Sequence, residues 1–319
     1  MSAANRRLVA DIGGTNARFA TVSENGYVPG NELTLRCAEF EDLAAATRRY
    51  LELSRVEPVT EAVVAVATPL AGDRVSLTNN HWSFSIEQTR RSLGLNRLLL
   101  INDFTALALA LPHLGPGESR QIGGGTAVAD APIALLGPGT GLGVSGLLPA
   151  AGAWVPIQGE GGHVALAPMT AREAQVLQAL WQTYDHVSAE RLLSGPGLVL
   201  LHRTLASVDS CADAPADNPE QIVSDALGGD ARCTATLELF CAMLGTVAAN
   251  LCVTLGARGG VFIGGGIVPA LGERFDRSSF RQRFEHKGRF SGYLRAVPTS
   301  VITARNPALR GAARAFDGP

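Results

Sequence analysis

The sequence predicts an α/β protein of two domains, built on a strand–turn–strand unit that occurs twice. Three observations predict it. Leu8–Ile12 and Arg18–Val22 flank the turn Gly13-Gly14-Thr15-Asn16, and Ile133–Leu136 and Val144–Leu148 flank a second glycine turn, Gly137–Gly143. Short apolar runs such as Leu98–Ile101, of the kind buried in parallel sheets, lead into helical stretches. The 319 residues suffice for two cores, and the Pro- and Gly-rich stretch Pro112–Gly125 supplies a boundary. The expected division is a small domain of residues 1–112 plus 304–319 and a large one of residues 113–303.

The first two strands are too close to be anything but an antiparallel hairpin. Its glycines allow positive φ and leave backbone N–H groups uncovered, and Thr15 and Asn16 add short polar donors. That is a phosphate cradle carried on a hairpin; a plain turn is the alternative. Asp11, just before the glycines, points to an anion site with Mg²⁺, because a hard cation takes an oxygen ligand beside phosphates. Asn31–Arg36 reads as a third strand, Phe40–Leu53 as a helix and Ala62–Ala67 as a buried strand. The polar stretch Thr78–Trp82 fits a ligand-lining loop or an ordinary surface loop equally well. A helix is expected over Ser85–Leu93.

The run Arg97–Ile101 then ends in Asn102 and Asp103, before a helix over Phe104–Leu111 closed by Pro112. An amide and a carboxylate at the C-terminal end of a buried strand stand where open α/β sheets collect ligands. The amide can donate and accept to a polyhydroxylated ligand, and the carboxylate can take a hydroxyl proton. The plainer alternative is that Asp103 or Thr105 caps the helix.

In the second half, Trp154–Ile157 reads as a strand that ends in Gln158-Gly159-Glu160-Gly161-Gly162-His163, where glycines let a carboxylate and an imidazole approach a ligand closely. Helices are expected over Thr170–Tyr184 and from Ser188, its N-cap; Glu190 is then a ligand or merely a first-turn acid. Ser194–Gly197 interrupts that helix, and Leu205–Pro219 is a solvated loop. Asn218-Pro219 starts a short helix that Gly228-Gly229 ends, and Thr234–Leu255 is a core helix stopped by Gly256. The strand Gly260–Ile263 runs into Gly264, Gly265 and Gly266, which open a helix against a nucleotide or simply pack tightly. Arg283–Arg289 looks basic and mobile, Pro298–Thr303 is a strand, and Asn306-Pro307 starts a helix returning to the first domain.

Composition excludes several classes. A net charge of −2 gives no electrostatic footprint for nucleic acid or an anionic membrane. The start, Met1–Arg7, carries no apolar signal core, and no apolar run is expected to reach the roughly 18 residues of a membrane span. Five unpatterned cysteines suggest reduced thiols in the cytoplasm. Lys287 is the sole lysine, so a Walker A loop is excluded, and Leu142 stands where a dinucleotide fingerprint needs glycine. No histidine sits in a transition-metal pattern.

The ordered set Asp11-Ile-Gly-Gly-Thr-Asn-Ala-Arg18, Ile101-Asn-Asp-Phe-Thr-Ala106, Gly139-Thr-Gly-Leu-Gly143, Gly159-Glu-Gly-Gly-His163, Ser188-Ala-Glu-Arg191, Leu193-Ser-Gly-Pro-Gly197 and Gly260-Val-Phe-Ile-Gly-Gly-Gly-Ile267 resembles the bacterial glucokinases of the ATP-dependent, non-ROK type over essentially the whole chain. The resemblance implies an actin-like ATPase (ribonuclease H-like) fold, duplicated, with the sugar in a cleft between two domains. It implies ATP-dependent phosphorylation of D-glucose to glucose 6-phosphate, in a cytoplasmic homodimer. Asp103 matches the catalytic base, and Asn102, Asp103, Glu160, His163 and Glu190 match the sugar ligands. Ala10, Asp11, Ile12, Gly13, Gly14 and Thr15, with Asn16 beside them, match the first phosphate loop. Gly139, Thr140 and Gly141 match the second, and Gly264, Gly265 and Gly266 the adenosine side. Mg²⁺ is expected through the ATP phosphates, with Asp11 reaching it by way of water. Pro138 departs from the pattern, since proline removes an N–H and stiffens the loop. A kinase for another hexose or amino sugar, or a weakly catalytic sugar sensor, are the alternatives.

Overall fold

The computed structural model describes residues 6–56, 58–211 and 217–318. Residues 1–5 of the polar start and residues 212–216 of the expected Ala/Asp/Pro-rich loop lie outside them. The chain divides into two compact units: Met1–Gly115, Ala150–Gln158 and Ala304–Pro319 form one, and Pro116–Pro149 with Gly159–Thr303 the other.

In the first unit, β1 (Arg6–Ile12) and β2 (Asn16–Ser23) form an antiparallel hairpin, and β3 (Gly30–Arg36) pairs with β2. Helix α1 (Leu43–Ser54) starts three residues later than the sequence suggests. A single 3₁₀ turn, Cys37–Glu39, precedes it, and Asp42 caps it by accepting the Ala45 N–H. Strand β4 (Glu61–Val66) follows, then an unexpected small hairpin of β5 (Arg74–Ser76) and β6 (Ser83–Ser85). Ser85 caps α2 (Ile86–Ser92), which leads to β7 (Arg97–Asn102) and α3 (Asp103–Ala110). The sheet order is β3-β2-β1-β4-β7, with β1, β4 and β7 parallel. One face buries Leu8, Phe19, Tyr50 and Trp82; the other buries Val9, Val63 and Ile101.

The second unit holds β8 (Ser119–Ile122), β9 (Ile133–Pro138) and β10 (Leu142–Ala150). The next strand, β11 (Ala153–Ile157), belongs to the first unit, where it packs on α3. It is also the edge strand beside β10 in the sheet of the large domain, where the sequence division put it.

Helices α4 (Ala171–Leu180), α5 (Ala189–Leu192), α6 (Gly195–Val208), α7 (Pro219–Leu227) and α8 (Ala231–Leu255) follow. The expected interruption falls at Leu193 and Ser194, between α5 and α6; Ser194 caps α6 by accepting the Gly197 N–H, and α6 runs on through Leu205 into the stretch expected as loop. The helix expected to reach Tyr184 stops at Leu180. α8 is long and apolar enough to cross a membrane, contrary to the expectation, but 72% of its most apolar window is buried in this unit.

β12 (Gly260–Ile263), the short helices α9 (Ile267–Leu271), α10 (Glu273–Asp276), α11 (Phe280–Glu285) and α12 (Ser291–Arg295), and β13 (Thr299–Ile302) complete the unit. β11, β10, β9, β12, β13 and β8 lie side by side in that order; β9, β12 and β13 are parallel, β10 is antiparallel to β9 and β8 to β13. The basic stretch from Arg283 is anchored, not mobile: Arg283 sits in α11 and pairs at 2.6 Å with the buried carboxylate of Glu173. Finally α13 (Pro307–Arg314) returns to the first unit and packs on α3. Asn306 does not cap it by side chain; the residue is left-handed (φ 49°) and its amide donates to Glu32.

Candidate active site

On the first unit, Ile12, Val66 and Asn102 are register partners across β1, β4 and β7. The glycine turn and the Asn102–Asp103 pair therefore leave the same edge of the sheet, two strands or about 10 Å apart. The turn is set by a Gly13 N–H to Asn16 carbonyl bond of 3.0 Å. Behind it, Asn79 backs Gly14 so closely that a Cβ there would stand 2.8 Å from the Asn79 carbonyl oxygen. Asn80 donates to the Gly13 carbonyl at 3.5 Å. The Thr78–Trp82 stretch thus buttresses the loop, and Trp82 is buried with its indole N–H on the Phe40 and Cys37 carbonyls.

Asp11 is half-buried and paired with Arg18 at 3.4 Å. Burial raises its carboxyl above the ordinary value, and Arg18 opposes that.

At the end of β7 the helix cap is Asn102, not Asp103 or Thr105. Its Oδ1 accepts the N–H groups of Phe104 (2.9 Å) and Thr105 (3.2 Å). With Oδ1 so engaged, the amide N–H₂ is the part able to donate to a ligand. The Asp103 Oδ1 accepts the Phe104 N–H at 2.9 Å in the first turn of α3.

On the second unit the glycine motifs interlock. The Gly139 N–H bonds the Gly141 carbonyl at 2.8 Å, and Gly195 N–H bonds the Gly139 carbonyl at the same distance. Gly265, with φ +77°, lies on the Pro138 carbonyl, which a Cβ would meet at 2.2 Å. Gly162 lies equally close to the Leu142 carbonyl. Only backbone without side chains packs this tightly.

Glu190 is more than a first-turn acid: its Oε2 accepts the Leu142 N–H at 2.7 Å, and its Oε1 is 3.8 Å from Nε2 of His163. Glu160 is exposed, its carbonyl taking the His163 N–H. Thus His163, Glu190, Gly139–Gly141 and Gly264–Gly266 come together, while the Glu160 side chain points to solvent.

Two cavities open beside the second glycine turn, and Thr140 lines both. The larger, about 1040 Å³, lies between α6, α7 and α9 and is walled by Val199, Leu200, Val223 and Ile267, with Gly266 at its edge. The smaller, about 330 Å³, holds His163, Glu190, Tyr184 and Arg191. Arg191 stacks on Tyr184 at 4.5 Å. Sequence reading missed this apolar wall and the Tyr184–Arg191 pair. The helix start Asn218-Pro219 was a visible signal for one side of the wall, but nothing in the spacing joins it to Gly139.

Among the described residues no cluster of three acids, histidines or cysteines could hold a metal. A single half-buried carboxylate, Asp11, beside a glycine turn suits Mg²⁺ carried mainly by phosphates and water.

The glucokinase family model matches residues 8–318. The chain is 53% identical over 98% of its length to a glucokinase of Aromatoleum aromaticum, covering 94% of that protein. It is 52% identical over 96% of its length to one of Chromobacterium violaceum, covering 88% of it. Its fold superposes with a TM-score of 0.88, at 38% identity and 99% coverage of both chains, on a glucokinase from an Antarctic psychrotroph. A ROK family glucokinase of Streptomyces griseus, solved with glucose and AMPPNP, shares the fold with a TM-score of 0.63 at 16% identity, over 97% of this chain and 98% of that one. A family match spanning nearly the whole chain and relatives of this identity establish that the chain belongs to the glucokinase family.

Proposed function

We propose that this protein transfers the γ-phosphoryl group of ATP to the 6-hydroxyl of D-glucose. The observation that carries the proposal is the position of Thr140, with an apolar cavity of nucleoside size on one side and the polar pocket of His163 and Glu190 on the other. A nucleotide in the first and a sugar in the second would meet at the glycine turn.

Phosphoryl transfer needs positioning and charge neutralisation more than covalent chemistry. Asp103 accepts the 6-hydroxyl proton, Asn102 donates its amide to a sugar hydroxyl, and His163, Glu190 and Glu160 bind the remaining hydroxyls. The turns Ala10–Asn16 and Gly139–Gly141 offer N–H groups and the hydroxyls of Thr15 and Thr140 to the phosphates. Gly264–Gly266 flank the adenosine. Mg²⁺, ordered through water by Asp11, would neutralise phosphate charge. In this proposal the fold is a duplicated actin-like one with the sugar in a cleft. Its support is the shared pattern of an antiparallel pair followed by two parallel strands, β2-β1-β4-β7 and β10-β9-β12-β13. Closure would exclude water as a competing acceptor. The assembly is proposed to be a cytoplasmic homodimer, which light scattering tests.

ADP release by purified protein with Mg·ATP, alone and with glucose, mannose, fructose or N-acetylglucosamine, tests the function. Glucose-dependent release supports it. A stronger response to another sugar changes the substrate, and glucose binding without turnover indicates a sensor.

A further inference from the structure

Glu190 stands in the first turn of a four-residue helix, where an acid ordinarily does no more than face the helix N-terminus. Here both oxygens reach out of the helix, Oε2 to the Leu142 N–H and Oε1 toward His163. The glycine hairpin has use for an outside acceptor at that point. Pro138, the register partner of Leu142, has no N–H, so the two residues cannot exchange the pair of bonds that normally closes a hairpin. The Pro138 carbonyl is covered by Gly265, and the Leu142 carbonyl by Gly162. The N–H of Leu142 goes to the carboxylate, a charge-assisted bond. Gly141 leaves the space for it: a Cβ there would stand 2.5 Å from Oε2.

We infer that Glu190 is a positioning residue for the nucleotide: its carboxylate holds the Gly139–Gly141 turn in the shape that presents N–H groups to phosphate. The inference rests on the proposed phosphate-binding role of that turn. It adds to the sugar contact proposed for Glu190, so one carboxylate serves both ligands. A hydroxyl that donates to Oε1 leaves Oε2 on Leu142. Loss of the carboxylate loosens the turn whether or not sugar is present.

The test is calorimetric binding of Mg·ADP without sugar to the wild type, Glu190→Ala, Glu190→Gln and Gly141→Ala, with the KM for glucose measured in parallel. Glu190→Ala should weaken ADP about tenfold, the scale of one hydrogen bond to a charged group. Glu190→Gln keeps an acceptor for Leu142 and should restore ADP binding to within about threefold, while its glucose KM stays raised. Gly141→Ala displaces the carboxylate without altering it and should weaken ADP as Glu190→Ala does. Unchanged ADP affinity in Glu190→Ala or Gly141→Ala, or equal loss in Glu190→Ala and Glu190→Gln, overturns the inference and leaves the sugar role standing. A wild type that binds no Mg·ADP overturns the phosphate-loop proposal itself.

Discussion

Gly311→Ala tests how tightly the first unit is closed. Gly311 lies on the face of α13 that meets α3, and an ideal Cβ there would stand 1.6 Å from the Ala106 carbonyl oxygen and 2.6 Å from its carbon. A relaxed carbon–oxygen contact needs about 3.3 Å, so the helices must separate by roughly 1.7 Å. The obstacle is helix backbone, which cannot swing aside as a side chain would. Overpacking of this kind costs about 1–3 kcal/mol, and the upper end applies here because Leu309 and Ala312 lose contact with the same core. Alanine returns up to about 1 kcal/mol of helix propensity. The net is a loss of about 2 kcal/mol, or roughly 3 °C in Tm for a chain of 319 residues. Because α3 begins at Asp103, the shift also misplaces the proposed base, and turnover in the folded fraction should fall up to about 100-fold. Gly292→Ala is the control, since a Cβ there meets nothing within 4 Å. Calorimetry and glucose-dependent ADP release read both effects. A Gly311→Ala protein that melts within 1 °C of Gly292→Ala, using roughly the scale above, refutes the packing argument.

Three further predictions concern charge. Asp103→Asn should lower kcat by about 10²–10⁴ and raise the KM for glucose far less; unchanged turnover removes Asp103 from the role of base. Arg283→Met leaves the Glu173 carboxylate buried without its cation and should cost about 3–5 kcal/mol in urea unfolding, part of which Glu173→Gln in the same chain restores; no loss in the single variant means the pair is not needed. Asp11 titrates above the ordinary carboxylate value because it is buried, so its protonated form favours the folded state. The stability it contributes is present at low pH and lost as pH rises from the ordinary value, 3.8, through the raised one. Asp11→Asn should therefore gain in Tm relative to the wild type as pH rises through that window, while turnover falls; a Tm difference independent of pH between 3 and 8, on the scale where roughly one unit is 1.36 kcal/mol, contradicts the burial argument.

Much of this architecture was legible because apolar runs and glycine turns are local signals. Leu98–Ile101 could be read as a buried strand, and the hairpins on either side of Gly13 and Gly139 could be paired, from adjacent residues alone. Helix starts were legible where a short polar residue precedes the run, as at Ser85, Ser188 and Asn218. At β7 the same logic offered Asp103 or Thr105 only as an alternative, since Asn102, Asp103 and Thr105 all have capping side chains and only the backbone geometry picks Asn102. What stayed hidden depends on distant packing. The allegiance of β11 to α3, the anchoring of Arg283 by Glu173 and the apolar wall beside Thr140 each join residues far apart in sequence. The motif residues gave the chemical groups; the link between Glu190 and Leu142 required coordinates.

The first unit is assembled from three separate pieces of chain, and this has a consequence for synthesis. The apolar face formed by Val9, Val63, Ile101 and Ala106 is covered by Leu309 and Ala312 of α13. At roughly 5–20 residues per second, a ribosome that has passed Gly115 takes about 10–40 s to reach α13. For that interval the nascent sheet carries a sticky, uncovered face, while the second unit, apart from the excursion through β11, can collapse as it emerges. Chaperone demand should therefore concentrate on the N-terminal sheet, and translation stalled before residue 304 should yield aggregates nucleated there.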